Sequence, residues 1–348
     1  MKKMLALLLA LVMVLSLAAC ASSQPAAAST ETAETTETTE AAEPAAEESA
    51  EAPAESGKTY TVGVCQLVQH EALDAATQGF VDALKEELGD AVTVDVQNAS
   101  GDSVNCGTIV NGFVSKGVDL IMANATPALT AAVSATADIP ILGTSITAYG
   151  VALDIDDFNG TVGGNVSGTS DLADLQAQAQ MILDWFPETK TVGLLFCSAE
   201  PNSRYQIDEV RKALEAQGVT CEEFAFTDSN DVSSVTQKAA DFSDVVYIPT
   251  DNTAASNTEA IANVLIPAGV PAVCGEEGLC RGCGVATLSI SYYDLGVTTG
   301  KMAAKILKGE ADISTMPVEY TDATPKYNAS VCEQLGITPL DGYEAIDG

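Results

Sequence analysis

Residues 60–98 read YTVGVCQLVQHEALDAATQGFVDALKEELGDAVTVDVQN, and this stretch decides the fold. Its two ends, YTVGVCQ (60–66) and VTVDVQN (92–98), are rich in β-branched residues and predict strands. Apolar residues between positions 72 and 88 recur at i, i+3 and i+4, which predicts an amphipathic helix. A strand, a helix and a second strand in this order form the unit from which parallel sheets are built.

The same alternation continues along the chain and then begins again. The apolar runs DLIMAN (119–124) and IPILGT (139–144) predict buried strands of a first lobe. The runs TVGLLFC (191–197) and DVVYIP (244–249) occupy similar places in a second series of strands and helices. Buried strands separated by helices indicate parallel sheets. The predicted fold class is therefore α/β, with two doubly wound parallel-sheet lobes joined by a hinge.

The chain divides into four predicted regions. Each lobe is built from two separate segments, because a two-lobe design requires the polypeptide to cross between its lobes. The regions are, in order, a signal peptide (1–19), an acidic disordered tether (20–57), an N-terminal lobe (58–169 plus about 289–315) and a C-terminal lobe (170–288 plus about 316–348). The tether is predicted from composition: residues 21–57 contain nine Glu and neither Lys nor Arg, and they show no apolar face.

The N-terminus, MKKMLALLLALVMVLSLAAC (1–20), has a basic start, an apolar run and small residues, as secretory signals do. Its apolar run is too short to cross about 30 Å of hydrocarbon. The ending L-A-A-C resembles the lipobox of bacterial lipoproteins, in which the cysteine is lipidated. Cys20 is therefore the predicted lipidation site, and the predicted location is the extracytoplasmic face of the cell membrane. The alternative is an ordinary secretory signal with an incidental cysteine.

The formal net charge of −34 argues against nucleic acid as a partner, because phosphate backbones repel so acidic a surface. Eight cysteines remain besides Cys20, and an even number outside the cell permits disulfides. We interpret most of them as free thiols. The stretch CGEEGLCRGC, with Cys274, Cys280 and Cys283, leaves a metal loop or a local disulfide open. Without a nearby His or a second CxxC motif, zinc is the weaker alternative.

Candidate binding residues follow from the rule that ligands sit beyond the carboxyl ends of parallel strands, at helix N-termini. In the N-terminal lobe the rule selects residues after the first, third and fourth strands: Gln66, His70, Thr126, Ser145 and Thr147. In the C-terminal lobe it selects Asn202, Ser203, Thr250, Asp251, Asn252 and Glu277. Two such rims, facing each other across a hinge, predict a cleft for a small molecule.

Several separate motifs, in the right order, carry a family resemblance. They are VGVCQLVQHEALDAATQGFVDAL, VTVDVQNASGD, DLIMANATPA, IPTDNT and ISYYDLGVTTGKMAAKILKGE. With them the chain resembles the tryptophan/tyrosine-type substrate-binding proteins of ABC transporters from about Thr61 to about Thr338. The resemblance implies a type I periplasmic-binding fold that closes around a small ligand and delivers it to a membrane permease. It also implies an amino acid as ligand, with aromatic amino acids favoured and other small organic acids left open.

The chemistry of a free amino acid suggests roles for the candidate residues. Thr126, Ser145 and Thr147 are suited to its carboxylate, because backbone N–H groups at a helix start favour an anion. Asp251 is the predicted partner of its ammonium, although the Asp could instead be a simple helix cap. Asn202 and Ser203 would bind the ligand from the opposite lobe, and Thr250 and Asn252 flank Asp251 as further candidates. Glu277 would fix Asp251 or the ammonium, and Gln66 would border the ligand's side chain.

An enzyme is disfavoured because the chain has one His and lacks the GxSxG, HExxH and Walker motifs. A ligand-sensing module that reports to a membrane partner would use the same cleft and remains the main alternative. A transcription factor of similar fold would need a DNA-binding helix-turn-helix where this chain has its secretion signal. We therefore expect a binding protein that needs no cofactor and no metal and acts as a monomer.

Overall fold

The structure is a computed structural model that describes residues 57–346. The predicted signal peptide, the lipidation site Cys20 and all of the tether except Gly57 lie outside the described residues. Within residues 57–346, no helix has both the length and the apolarity that crossing a bilayer requires.

The first series of elements alternates strands with helices, as the sequence pattern predicts. In chain order they are β1 (Tyr60–Gln66), α1 (Glu71–Leu88), β2 (Val92–Asn98), α2 (Ser103–Lys116), β3 (Leu120–Asn124), α3 (Thr126–Ala135), β4 (Ile141–Ile146), α4 (Tyr149–Ala152) and β5 (Val166–Ser170).

The second series continues the alternation and ends in a short C-terminal group. Its elements are α5 (Leu175–Trp185), β6 (Thr191–Cys197), α6 (Pro201–Glu215), β7 (Thr220–Phe226), α7 (Val232–Phe242), β8 (Val245–Ile248), α8 (Asn252–Ala255), α9 (Thr258–Ala268), β9 (Ala272–Cys274), α10 (Glu277–Cys283) and β10 (Ala286–Ser289). The remaining elements are α11 (Tyr292–Lys308), β11 (Glu319–Tyr320), β12 (Thr324–Tyr327), α12 (Ala329–Leu335) and β13 (Glu344–Ala345).

The strands form two separate sheets, one for each lobe. The first sheet has the order β11-β5-β4-β3-β1-β2, and all of its pairings are parallel. The second has the order β13-β12-β10-β9-β8-β6-β7, with one antiparallel pairing between β10 and β12. The predicted α/β class with two parallel-sheet lobes is confirmed.

Burial explains why the central strands are so apolar. Every residue of β3, β4 and β8 is buried, because helices cover both faces of the sheet. The edge strands β2 and β7 instead alternate between more and less exposed residues. Fully buried central strands and partly exposed edge strands are the pattern expected of a doubly wound sheet.

The chain crosses between the lobes after β5, after β10 and after β11. After the second crossing, α11 returns to the first lobe and packs tightly against α1, where Ala72, Ala76 and Leu295 share a small apolar cluster. The third crossing lies later than the predicted boundary at about residue 316. Glu319 and Tyr320 still pair with β5 of the first sheet, and the chain joins the second sheet only from Thr324.

Candidate ligand-binding site

A small cavity of about 10 Å³ lies where the carboxyl ends of the parallel strands of the two lobes meet. From the first lobe and α11 it is lined by His70, Leu73, Ser145, Thr147, Asp171 and Tyr292. From the second lobe it is lined by Asn202, Thr250, Asp251, Asn252, Ala255 and Glu276. The position agrees with the general rule for open parallel sheets, and neither lobe forms the cavity alone.

A wider crevice of about 340 Å³ adjoins this cavity and shares Asn252 with it. Leu67 and Pro127 line it from the first lobe, and Ala199 and Thr227 line it from the second. None of its described lining residues carries a buried side-chain polar atom without a partner. The smaller cavity, which does carry such atoms, is therefore the better candidate for specific binding.

Seven of the eleven residues selected from the sequence line the cavity: His70, Ser145, Thr147, Asn202, Thr250, Asp251 and Asn252. The other four do not. Thr126 is buried at the start of α3, and Ser203 lies behind Asn202, whose Nδ2 donates to its hydroxyl at 3.4 Å.

Gln66 and Glu277 are held by other groups. Gln66 Nε2 donates to Asp74 Oδ1 at 2.6 Å, and its Oε1 accepts from Thr77, so the side chain fixes the turn between β1 and α1. Glu277 accepts from Arg281 and Lys326, each at 2.7 Å, on a surface outside the cavity. The structure therefore places neither side chain where it was expected to border the ligand or fix Asp251.

Three carboxylates in or beside the cavity act as local caps. Glu200 accepts from the backbone N–H groups of Asn252 and Thr253 at 3.0 and 2.9 Å. Asp251 accepts from the backbone of Ala254 at 2.8 Å and of Cys197 at 2.6 Å, which caps α8 and ties it to β6.

Glu276 caps α10 by accepting from the backbone N–H groups of Gly278 and Leu279. Each oxygen of Asp251 and of Glu276 is thus already used by the protein. Burial raises the pKa of Asp251 to about 8 and that of Glu276 to about 7, and the charge of Glu200 adds to the effect on Asp251. Asp251 is therefore the helix cap that the sequence left open as an alternative, with its side chain turned inward.

Asp171 is the cavity carboxylate that the sequence analysis missed. It follows β5 directly and is buried. Its Oδ2 accepts from the Tyr292 hydroxyl at 2.8 Å, whereas its Oδ1 is buried without a partner. Burial raises the pKa of this carboxyl. Of the described carboxylates that line the cavity, Asp171 is the one with an unused oxygen.

Two further oxygens of the cavity lining are also buried without a hydrogen-bond partner. They are Ser145 Oγ in the first lobe and Asn202 Oδ1 in the second. Buried polar atoms in proteins are nearly always paired, and an unpaired one costs about 1–3 kcal/mol. Three such atoms on one small cavity indicate a site built for a polar ligand group.

Side chains from the two lobes also contact each other around the cavity. His70 Nε2 lies 3.2 Å from Asn252 Oδ1, and burial lowers the pKa of this imidazole. On the flank, Arg281 of α10 forms an ion pair with Glu71 of α1 at 3.0 Å. These contacts hold the two rims together.

The cysteine stretch CGEEGLCRGC forms a strand end followed by α10, and its three cysteines are buried free thiols. All eight cysteines among residues 57–346 are free. In the same range, no group of three His, Cys, Asp or Glu side chains is arranged to hold a metal ion.

Comparison with known proteins identifies the family. Residues 61–342 match the family described as ABC transporter substrate binding protein. The chain belongs to this family. It is 32% identical over 276 residues to a tyrosine-binding protein of Clostridioides difficile strain R20291, covering 78% of this chain and 79% of that protein.

Two solved structures are also similar to this chain. One is an ABC domain of Streptococcus pneumoniae in complex with L-Trp, at 32% identity and a TM-score of 0.79, covering 83% of this chain and all of that one. The other is the ligand-free, open structure of a substrate-binding protein with adhesive properties from Clostridium difficile, at 33% identity and a TM-score of 0.63. It covers 83% of this chain and 99% of that chain.

The family assignment confirms several predictions made from the sequence. The substrate-binding protein of an ABC transporter is not an enzyme, and it works outside the cytoplasm with a membrane permease. The two-lobe fold is that of the type I periplasmic-binding proteins. The family match and the similar relatives therefore confirm the predicted resemblance of this chain to the tryptophan/tyrosine-type substrate-binding proteins.

Proposed function

We propose that this protein is a lipid-anchored, monomeric substrate-binding protein of an ABC importer, which captures an aromatic amino acid between its lobes by hinge closure. The observation that carries the proposal is the cavity itself. It is formed by both lobes, and it presents unpartnered buried oxygens from each of them. A polar ligand that pairs with these oxygens stabilises the arrangement in which the lobes are together.

The ligand class rests on the relatives. One relative is named for tyrosine and another was solved with L-Trp, and both are 32% identical to this chain. In the proposed site the ligand's ammonium pairs with Asp171, because both oxygens of Asp251 already accept a backbone N–H whereas Asp171 Oδ1 has no partner. The rings of Tyr292 and His70, with Leu73, supply the apolar surface on the first-lobe side.

The proposal of hinge closure draws support from two comparisons at nearly the same sequence identity. The TM-score is 0.79 against the L-Trp complex but 0.63 against the ligand-free, open structure. The fold of this chain is therefore more similar to the ligand-bound structure than to the open one. The contacts of His70 with Asn252 and of Arg281 with Glu71 can form only when the rims approach. Binding energy from both lobes would then drive the closing motion.

Lipid anchoring rests on the sequence L-A-A-C and on the acidic tether that follows. Cys20→Ser should abolish incorporation of a labelled fatty acid and release the protein from the membrane fraction. An unlabelled protein with intact Cys20 would refute the anchor but leave the binding function untouched.

The ligand is tested with the secreted chain carrying Cys20→Ser, after unfolding and refolding to remove any co-purified molecule. Thermal unfolding is measured with each of the twenty amino acids. A ligand at about 100 times its Kd stabilises by about 2.7 kcal/mol, which corresponds to roughly 5–10 °C. We expect the shift with L-Trp, L-Tyr or L-Phe, and a screen without a response to any of these would refute the aromatic assignment.

A further inference from the structure

We propose that the cavity recognises the primary ammonium group of its ligand through Asp171, Ser145 and Asn202, and that an aromatic amine without a carboxylate is therefore also a ligand. The inference deepens the proposed function and rests on it, because it concerns the same cavity. It makes a claim that the amino-acid assignment alone does not make, namely that the carboxylate is dispensable.

The first argument is a match between acceptors and donors. Asp171 Oδ1, Ser145 Oγ and Asn202 Oδ1 are buried on the cavity without partners. Their residues are only 4%, 6% and 4% exposed, so bulk water cannot serve them freely. A primary ammonium has three N–H donors and no acceptor. Three oxygens, one of them charged, are the partners that such a group needs.

The second argument is that most side-chain donors of the lining are already used. The Tyr292 hydroxyl donates to Asp171 at 2.8 Å, and the Thr250 hydroxyl donates to the carbonyl of Gly275 at 3.3 Å. Asn202 Nδ2 donates to the carbonyl of Thr250 at 3.1 Å. Asn252 Nδ2 donates to Glu200 at 2.7 Å. The hydroxyls of Ser145 and Thr147 are the side-chain donors left for a ligand carboxylate, and neither carries a charge.

The third argument is the charge of the lining. Among residues 57–346, no Lys or Arg lines the cavity, although the guanidinium of Arg is the group best shaped to bind a carboxylate. Asp171, Asp251 and Glu276 all contribute carboxyl groups. A ligand carboxylate gains no ion pair there, whereas a cationic ammonium does. The ammonium end of the ligand therefore carries most of the polar recognition.

The test uses three ligands that share one ring system. L-Tryptophan has both charged groups, tryptamine lacks the carboxylate, and indole-3-propionate lacks the ammonium. Their Kd values are measured by calorimetry on the refolded Cys20→Ser chain at about 0.15 M salt.

We expect tryptamine to bind within about tenfold of tryptophan. The acid should bind about 100-fold more weakly, since a hydrogen bond to a charged group contributes on the order of 10- to 100-fold. Tyrosine, tyramine and 3-(4-hydroxyphenyl)propionate form a second matched set.

A pair of variants distinguishes binding of amines at the cavity from their general attraction to an acidic protein. Asp171→Asn keeps the shape of the side chain but removes its charge, and it should weaken tryptophan and tryptamine by the same factor, about 10- to 100-fold. Asp184→Asn, on the exposed face of α5, removes the same charge away from the cavity and should change neither Kd. Equal effects of the two variants would overturn the inference.

The outcomes distinguish the inference from the proposed function. If tryptophan and tyrosine bind while their amines bind over 100-fold more weakly, the inference is overturned and the proposed function stands. If the amines bind and the amino acids do not, the inference is supported and the amino-acid ligand is refuted. If no member of either set binds, both are overturned. Binding of the acids as tight as that of the amines would also overturn the inference.

Discussion

The hydroxyl of Tyr292 donates a hydrogen bond of 2.8 Å to the carboxylate of Asp171, and this contact joins two of the chain's crossings between the lobes. Asp171 follows β5, and Tyr292 begins α11. The bond occupies Oδ2 and holds the unpartnered Oδ1 at the cavity. Tyr292 is thus a positioning residue for the carboxylate that we propose binds the ligand.

Tyr292→Phe should weaken ligand binding and lower the free energy of unfolding by about 1–3 kcal/mol, because Oδ2 of Asp171 loses its partner while the ring still packs. The matched control is Tyr293→Phe. Tyr293 is exposed and its hydroxyl donates to Asp82 at 3.2 Å, so the loss of this bond should change the free energy by less than about 0.5 kcal/mol. Calorimetry and urea unfolding check both. Equal effects of the two substitutions would contradict the positioning role.

Asp171→Asn should separate binding from stability. Burial raises the pKa of this carboxyl, so its ionised form destabilises the ligand-free fold and the destabilisation grows as pH rises through the raised pKa. The neutral Asn avoids this cost. We therefore expect the ligand-free variant to be at least as resistant to urea at pH 8 as the natural protein, despite losing affinity. A variant that is destabilised equally at pH 5 and pH 8 would indicate a purely structural role.

The sequence predicted the rims of the site but not its central carboxylate. Ser145, Thr147, Asn202, Thr250, Asp251 and Asn252 follow apolar strands, and the rule for parallel sheets found them. Asp171 follows β5, whose sequence VSGTS has one large apolar residue. Its Ser and Thr side chains are buried but bonded to neighbours: Ser167 donates to the carbonyl of Met316, and Thr169 bonds with Thr299. These long-range partners cannot be read from local composition.

The roles of single residues were harder to predict than their positions. An Asp before a short helix can cap the helix or face a ligand, and the sequence leaves both open for Asp251. The choice depends on the backbone N–H groups of Cys197 and Ala254, one of which comes from another strand. Glu277 was misplaced for a similar reason, since its partner Lys326 lies 49 residues further along the chain.

The stability of the ligand-free protein should fall as pH rises from about 6.5 to 8. Burial raises the pKa of Glu276 to about 7 and that of Asp251 to about 8, so the folded state holds protons that the unfolded state has released. Each such proton contributes a slope of up to about 1.4 kcal/mol per pH unit. Below about pH 6.5 the lowered pKa of His70 makes stability rise with pH, opposite to the effect of the two carboxyls. The range from pH 6.5 to 8 is therefore the informative one.

This pH dependence is checked by urea unfolding at pH 6.5, 7, 7.5 and 8 at constant ionic strength. Stability that stays level or rises across the window would show that the two carboxyls are already ionised in the folded protein. Ligand must be absent, because an ammonium at Asp171 would change the titration.

Gly296→Ala should disrupt the contact between α1 and α11. A Cβ at this position would lie 2.0 Å from the backbone carbonyl oxygen of Ala76, so α11 must move. We expect a loss of about 1–3 kcal/mol in the free energy of unfolding, and weaker ligand binding because Tyr292 moves with its helix. The control is Gly107→Ala in α2, where a Cβ meets nothing within 4 Å and should stabilise by about 0.5–1 kcal/mol. Similar results at both positions would contradict the close helix contact.

The ion pair between Arg281 and Glu71 should favour the closed arrangement of the lobes. Arg281→Gln removes it, and we expect Kd to rise by about 1.4- to 5-fold, since exposed ion pairs contribute about 0.2–1 kcal/mol. The difference should shrink at 0.5 M salt, where charges are screened. Lys116→Gln is the matched control, because its pair with Asp95 lies within the first lobe and cannot report on closure. A Kd that is unchanged by Arg281→Gln at low salt, or changed equally by Lys116→Gln, would show that the flank of the cleft does not contribute to closing.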